Sequence, residues 1–204
     1  MKNLNLISSD YYTQRNNRIR PKAACMPTAR VMYYRGNNIK YSNPTALSDD
    51  DYLMRTLNTP EAQKFAKKKY PWACKNNNLV FPANEIHGMY NTYLDQIVVG
   101  RRTGDFHTSL SVEKIIDVLA AGYVIMTSGT FRGIAGHAFC LIGYSGGNFY
   151  LADPWGDWRS NYSDVRGYGT TMTRDEMIAH VKPVGLDAKW AHLSYEAIAG
   201  KKRV

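Results

Sequence analysis

The stretch GHAFCLIGYSGGNFYLADPWG, residues 136–156, decides the fold prediction. It holds an apolar segment after a histidine, a Gly-Gly turn, and a second apolar segment that ends in Asp-Pro-Trp-Gly. Short apolar runs around such a turn are typical of two antiparallel strands in a hairpin. His137 then heads the first strand and Asp153 ends the second. The hairpin is therefore predicted to hold the histidine and the carboxylate side by side.

The composition predicts a single folded domain that spans residues 1–204. A chain of this length suffices for one substantial domain and is short for two. Hydrophobic residues make up 44% and aromatic residues 12%, so a core can form and wholesale disorder is not expected. No stretch approaches the roughly 18 apolar residues of a membrane-spanning helix.

The N-terminal sequence MKNLNLISSDYYTQ has no sustained apolar segment, so a classical signal peptide is not predicted. The cysteines are Cys25, Cys74 and Cys140, an odd number without CxxC spacing. A disulfide framework and a thiolate zinc site are therefore not expected, and synthesis in a reducing cytoplasm is favoured. Four histidines occur singly, so no metal or other cofactor is predicted: His87, His107, His180 and His192.

The net charge of +9 indicates an anionic partner. Nucleic acid, anionic lipid and the polymers of a bacterial envelope all fit, because charge steers association without identifying the ligand. The short basic clusters, such as Lys67–Lys69 and the C-terminal KKR, are ordinarily solvated faces. Charge alone therefore does not decide the function.

The order of the predicted elements favours an α+β fold. Helices are predicted in ACMPTARVMYYRG, PEAQKFAKKKY, NEIHGMYNTYLDQI, SVEKIIDVLAAG and TRDEMIAHV, with a polar, turn-rich segment over residues 37–51. Ser111 is positioned to cap one of these helices, and Thr173 with Glu176 has the spacing of a capping box. YVIMTSG, the hairpin and KWAHLS supply strands, and the segment between the hairpin and TRDEMIAHV, rich in Gly, Tyr and Asp, is predicted to be a loop. Helices come mainly first and antiparallel strands later, unlike alternating βαβ units.

Cys25 is the strongest candidate for a nucleophile beside the histidine and the carboxylate. It lies at the predicted N-terminus of a helix, where free N–H groups and the helix dipole stabilise a thiolate. His137 would take the thiol proton, and Asp153 would orient the imidazole. Each residue also has an ordinary interpretation: a core cysteine, a structural histidine and an Asp-Pro turn.

Four segments together resemble papain-like cysteine peptidases, in the branch related to the bacteriocin-processing (double-glycine leader) peptidases. The segments are YYTQRNN with Gln14, ACMPTARVM with Cys25, GHAFCLIGY with His137 and NFYLADPWG with Asp153. Domains of this branch also occur in phage lysins and bacterial wall-associated enzymes. The segments DPWGDW and KWAHL of this chain resemble segments of those enzymes.

The resemblance implies a papain-like fold in which the helix that carries Cys25 packs on an antiparallel sheet that carries His137 and Asp153. Cys25 is then the nucleophile, His137 the general base and acid, and Asp153 the orienting carboxylate. Gln14 would form the oxyanion hole with the Cys25 backbone N–H. The chain departs from the family pattern in two places: Met26 stands where glycine is common, and the Gln14-to-Cys25 gap is long.

Three aromatic residues near the predicted site are candidates for a wall of the substrate cleft, with core packing as the alternative: Trp155, Trp158 and Tyr162. Cys140 follows His137 by three residues in an apolar strand and is predicted to be buried and inert. Cys74 is predicted to be neither catalytic nor bridged.

Three functions are consistent with these observations. The first is a monomeric cysteine peptidase that cuts peptide bonds in bacterial peptidoglycan, as a phage endolysin or related wall hydrolase. Such an enzyme would act at the wall or in the periplasm and would be drawn there by anionic envelope polymers. The second is a peptidase for a leader peptide or another protein. The third is a basic nucleic-acid-binding module, for which the sequence has no recognised motif, so no specific nucleic acid is expected.

Overall fold

The computed structural model describes residues 4–69, 74–75, 78–79, 83–132 and 134–203. The helices are α1 (Cys25–Gly36), α2 (Asp49–Leu57), α3 (Pro60–Lys69), α4 (Ala83–Leu94), α5 (Val112–Ala120), α6 (Arg174–His180) and α7 (Tyr195–Ile198). The strands are β1 (Cys74–Lys75), β2 (Asn78–Leu79), β3 (Gly104–Leu110), β4 (Ile125–Phe131), β5 (Ile134–Ser145), β6 (Asn148–Ala152), β7 (Tyr168–Thr173) and β8 (Lys189–Ser194).

The central feature is a six-stranded antiparallel sheet in the order β3-β8-β4-β5-β6-β7. The predicted hairpin is confirmed: β5 and β6 pair with Ser145 opposite Asn148, and the turn glycines, Gly146 and Gly147, both have positive φ. Such angles are those that a two-residue hairpin turn requires. The strand starts earlier than predicted, because β4 and β5 continue their pairing as far as Ile134. His137 therefore lies inside β5 rather than at its head.

The sheet carries hydrophobic residues on both faces. Along β5, Ala138, Cys140 and Ile142 pack in one apolar cluster with residues of α1, α2 and α4. Phe139 and Leu141 pack in a second cluster with residues of α5 and α6. This alternation is the two-residue period of a strand that is buried on both sides. The fold is helices on an antiparallel sheet, which confirms the α+β prediction.

A buried ion pair fixes α1 against the rest of the fold. The Arg30 guanidinium donates to the Asp95 carboxylate at 2.5 Å, and both side chains are buried. The Tyr34 hydroxyl also donates to Asp95, at 2.7 Å. These hydrogen bonds join α1 to the π-helical segment Asp95–Val99. They therefore restrict the translation of α1 along its axis and its rotation about that axis.

The predicted caps are present. Ser111 Oγ accepts from Lys114 N at 3.2 Å at the start of α5. At α6, Thr173 Oγ1 accepts from Glu176 N at 3.2 Å, and the Glu176 carboxylate accepts from Thr173 N at 2.8 Å. This reciprocal arrangement is the capping box that the sequence predicts.

Helix α2 and the edge strands β3 and β7 differ from the sequence-based prediction. Helix α2 begins at Asp49, inside the segment predicted to consist of turns. Its first turn holds Asp49, Asp50 and Asp51, which suit the positive end of a helix dipole. The predicted loop before α6 contains strand β7, which pairs with β6 at the sheet edge, and β3 pairs with β8 at the opposite edge. Each edge strand depends on hydrogen bonds to a partner strand, and its own sequence pattern does not reveal that partner.

None of the helices in the described ranges is long and apolar enough to cross a membrane.

Candidate active site

Cys25 is the first residue of α1, as the sequence predicts, and its side chain is partly exposed. Burial would raise the pKa of the thiol, but three groups outweigh it. A hydrogen bond with His137, the charge of His137, and the backbone N–H groups of Ala138 and Met26 together lower the pKa below its ordinary value. The Met26 N–H is free because the first residues of a helix have no intrahelical acceptor, whereas the Ala138 N–H comes from β5. The local environment of Cys25 therefore favours a thiolate.

His137 connects Cys25 to Asp153. Its Nε2 lies 2.6 Å from Asp153 Oδ1, and the side chains are 3% and 0% exposed. Burial would lower the pKa of the imidazole, but the charge and hydrogen bond of Asp153, with those of Cys25, raise it above the ordinary value. Because Nε2 is occupied by Asp153, Nδ1 is the ring nitrogen that remains for the thiol. His137 is thus hydrogen-bonded to Asp153 on one side and lowers the pKa of the Cys25 thiol on the other.

The backbone around Asp153 is fixed by contacts on several sides. Asp153 N donates to Gly167 O at 2.9 Å, and Asp153 Oδ1 accepts a second hydrogen bond from Trp155 N at 2.8 Å. A Cβ on Gly167 would lie 2.0 Å from Asp153 O, so the close approach of these two backbone segments requires glycine there. The backbone that carries the Asp153 carboxylate is therefore held in place beside the imidazole.

The N-terminal segment runs along the residues that follow Asp153. The Tyr11 hydroxyl donates to Asp153 O at 2.8 Å, and Gln14 N donates to Pro154 O at 2.9 Å. Arg15 Nε donates to Trp155 O at 2.6 Å, and the guanidinium lies 4.3 Å from the centroid of the Trp155 ring. Sequence reasoning missed Tyr11 and Arg15, because their partners lie about 140 positions away along the chain.

Gln14 is buried beside the segment that leads to Cys25. Its Nε2 donates to Pro21 O at 2.7 Å, in the short 3₁₀ helix Pro21–Ala23 that directly precedes α1. The long Gln14-to-Cys25 segment is fastened to α2: Asn17 Nδ2 donates to Asp50 at 3.0 Å, and Arg18 N donates to Asp51 at 2.7 Å. The additional residues thus form an ordered loop, and the oxyanion role of Gln14 stays a prediction.

The three aromatic candidates for the cleft differ in exposure. Trp158 and Tyr162 are 5% and 7% exposed and belong to the apolar cluster around Phe139, which favours the packing alternative for both. Trp155 is partly exposed under Arg15, so it keeps surface that a substrate could contact. The Tyr162 ring contacts the His137 ring edge-on, with centroids 6.0 Å apart.

Cys140 does not take part in this arrangement. Cys140 is fully buried, its Sγ donates to Ala29 O at 3.2 Å, and burial raises the pKa of its thiol. Cys25 and Cys140 are both free thiols, and the side chain of Cys74 lies outside the described residues. No group of three or more His, Cys, Asp or Glu residues that could hold a metal ion occurs in the part of the chain that the structure describes.

Residues 6–174 match the family model described as the Peptidase_C39 like family. The match covers most of the chain and includes all four segments with which the sequence resembles papain-like peptidases. The chain belongs to this family. Membership supports cysteine peptidase chemistry on a papain-like α+β fold. Neither a curated protein nor a solved structure matches the chain.

Proposed function

We propose that this member of the Peptidase_C39-like family hydrolyses amide bonds in the peptide part of bacterial peptidoglycan through a Cys25–His137–Asp153 triad. The observation that carries the proposal is the buried hydrogen bond between His137 and Asp153, together with Cys25 at the start of α1, where His137 lowers the pKa of the thiol. This arrangement has the three roles of a nucleophile, a base and an orienting group.

In the first half-reaction the Cys25 thiolate attacks the carbonyl carbon of the scissile amide. The carbonyl oxygen becomes an oxyanion, for which the Cys25 backbone N–H and the second N–H of the Gln14 amide are the proposed donors. His137 then gives its Nδ1 proton to the amide nitrogen, the carbon–nitrogen bond breaks, and the amine leaves. The acyl group stays on the sulfur as a thioester.

In the second half-reaction a water molecule attacks the thioester. His137, now neutral, takes a proton from the water as its oxygen bonds to the carbonyl carbon. Collapse of the intermediate breaks the carbon–sulfur bond and releases the carboxylic acid product, which loses its remaining proton to solvent, and restores the thiolate beside a protonated imidazole. The hydrogen bond between Asp153 and Nε2 keeps Nδ1 directed at the reacting atoms.

Two considerations support a wall substrate. A thiolate acts on carbonyl carbon, whereas most glycosidases use two positioned carboxylates, so a peptide bond rather than a sugar linkage fits the site. The net charge of +9 favours accumulation on the anionic polymers of a bacterial envelope. Family membership fits a leader-peptide or protein-processing peptidase as well, so the test includes that alternative.

The test compares the wild-type protein with Cys25→Ala on purified bacterial walls and on synthetic peptides with a double-glycine leader. The soluble wall products are analysed by mass spectrometry and by assays for new amino termini and reducing sugar ends. We expect new peptide termini without new reducing ends, and activity that falls as salt rises, because screening weakens attraction to the polymers.

Cleavage of the leader peptides alone would indicate that the protein is a leader-peptide or protein-processing peptidase instead of a wall hydrolase. Reducing ends that persist with Cys25→Ala would contradict both the substrate and the nucleophile. As a control for the salt effect, a small soluble peptide substrate should be cut at a rate that depends little on ionic strength.

A further inference from the structure

Asp153 uses only one of its two carboxylate oxygens. Oδ1 accepts from His137 and from Trp155 N, whereas Oδ2 is buried and has no hydrogen-bond partner among the described residues. A buried carboxylate oxygen without a donor is costly, because the charge has lost its water. This atom therefore needs a donor from a neighbouring side chain.

The Tyr162 hydroxyl is a buried donor in the same neighbourhood. Within the described ranges its oxygen has no hydrogen-bond partner either, and its ring lies edge-on to His137. Burial raises the pKa of this hydroxyl above its usual value, and the negative charge of Asp153 raises it further. Trp158, whose indole N–H is also without a partner in the described structure, packs instead against Phe131 and His180.

The backbone at Tyr162 is held in a conformation that a tyrosine rarely adopts. Asn161 and Tyr162 have φ of 55° and 63°, in the left-handed region. Tyr162 N donates to Asp157 O at 2.9 Å, and Tyr162 O accepts from the Arg15 guanidinium at 2.9 Å. Strain of this kind persists only where surrounding contacts impose it, and here they direct the phenol ring towards the His137–Asp153 pair.

We propose that the Tyr162 hydroxyl donates to Asp153 Oδ2 and acts as a positioning residue for the Cys25–His137–Asp153 chain. This inference rests on the proposed function. The hydroxyl occupies the free oxygen of the carboxylate and prevents the carboxylate from rotating away from Nε2. It therefore acts on Cys25 through Asp153 and His137 without touching a substrate. A side chain predicted to line the cleft thus becomes part of the support behind the imidazole.

The test measures alkylation of Cys25 by iodoacetamide at pH 5.5, because this rate reports the thiolate and needs no peptide substrate. Loss of one hydrogen bond to a charged group predicts that Tyr162→Phe slows the reaction about tenfold. The matched control is Tyr41→Phe, which removes another tyrosine hydroxyl from a carboxylate, that of Asp49 at 2.5 Å. Tyr41 packs on Tyr34 near the far end of α1, and the control should react at the wild-type rate.

A second comparison separates positioning from packing. In an Asp153→Ala background the hydroxyl has no carboxylate to support, so Tyr162→Phe should cause no further loss. A wild-type rate for Tyr162→Phe, or an equal loss in both backgrounds, would overturn the proposal. Rates are taken at a temperature at which thermal unfolding shows every variant folded. If wild-type Cys25 shows activated alkylation but no peptide is cut, the proposed function fails while this inference can still be decided.

Discussion

His137 Nε2 and Asp153 Oδ1 are 2.6 Å apart, and both side chains are buried. The two residues come from a strand and from the end of the next strand, so their contact is a direct product of the β5–β6 hairpin. A short hydrogen bond in a buried setting is strong, and the loss of either partner leaves the other unsatisfied.

Asp153→Ala should lower kcat on the order of 10³- to 10⁴-fold, because His137 loses the group that fixes its tautomer and orientation. It should also destabilise the protein by about 1–3 kcal/mol, since the Nε2–H is left buried without an acceptor. Activity assays and urea unfolding measure the two effects. Asp164→Ala is the control, because its ion pair with the exposed Arg166 lies at the surface. An Asp153→Ala enzyme with nearly full activity would contradict the triad.

Cys25 should react with iodoacetamide at pH 5.5 at least about 100-fold faster than Cys140, since an ordinary thiol is only ~0.1% ionised there. The direction of the effect follows from two pKa shifts: the pKa of the Cys25 thiol is lowered and the pKa of the His137 imidazole is raised. The thiolate–imidazolium pair therefore exists across the interval between them, and the rate falls once the pH drops below the lowered thiol pKa.

Peptide mapping by mass spectrometry assigns the labelled cysteine. His137→Ala removes the hydrogen bond and the charge that lower the Cys25 pKa, so its reaction at pH 5.5 should be at least about tenfold slower. Equal labelling of Cys25 and Cys140 in the folded protein would show that the thiol is not activated.

Gln14→Ala should lower kcat roughly 10²-fold if the side-chain amide is an oxyanion donor. The same amide also fastens Pro21 at 2.7 Å, so a structural effect must be separated from a catalytic one. Iodoacetamide forms no oxyanion, and its reaction with Cys25 should stay near the wild-type rate. A parallel loss of alkylation and peptide cleavage would indicate that Gln14 only holds the loop before α1.

Arg15→Ala should lower both kcat and the thermal midpoint, because the guanidinium bonds to two separate carbonyls, Trp155 O and Tyr162 O. Arg15→Lys should restore little, since an ammonium cannot reproduce the planar fork that reaches both acceptors. Arg166→Ala serves as the control, as this arginine is exposed and pairs only locally with Asp164. Full activity in Arg15→Ala would show that the contact between the N-terminal segment and this loop is dispensable.

The sequence by itself determined the features whose causes are local. The start of α1 at Cys25, the Gly146–Gly147 turn and the Thr173–Glu176 capping box follow from helix, turn and cap chemistry within a few residues. Because the hairpin has a fixed register, the same local signals also brought His137 and Asp153 together. The family resemblance added Gln14 and the roles of the residues.

Only the tertiary structure decided which distant residues support the candidate site residues. The contacts of Arg15 with the Trp155–Tyr162 loop join segments about 140 positions apart, and the edge strands β3 and β7 depend on their neighbours. Lys189 in β8 is another case. Its ammonium donates hydrogen bonds to three backbone carbonyls, those of Ile178, Val181 and Pro183. A periodic pattern specifies which face a residue occupies. Which distant groups satisfy a buried donor or charge depends on the packing of the whole chain, because those partners are set by space rather than by sequence spacing.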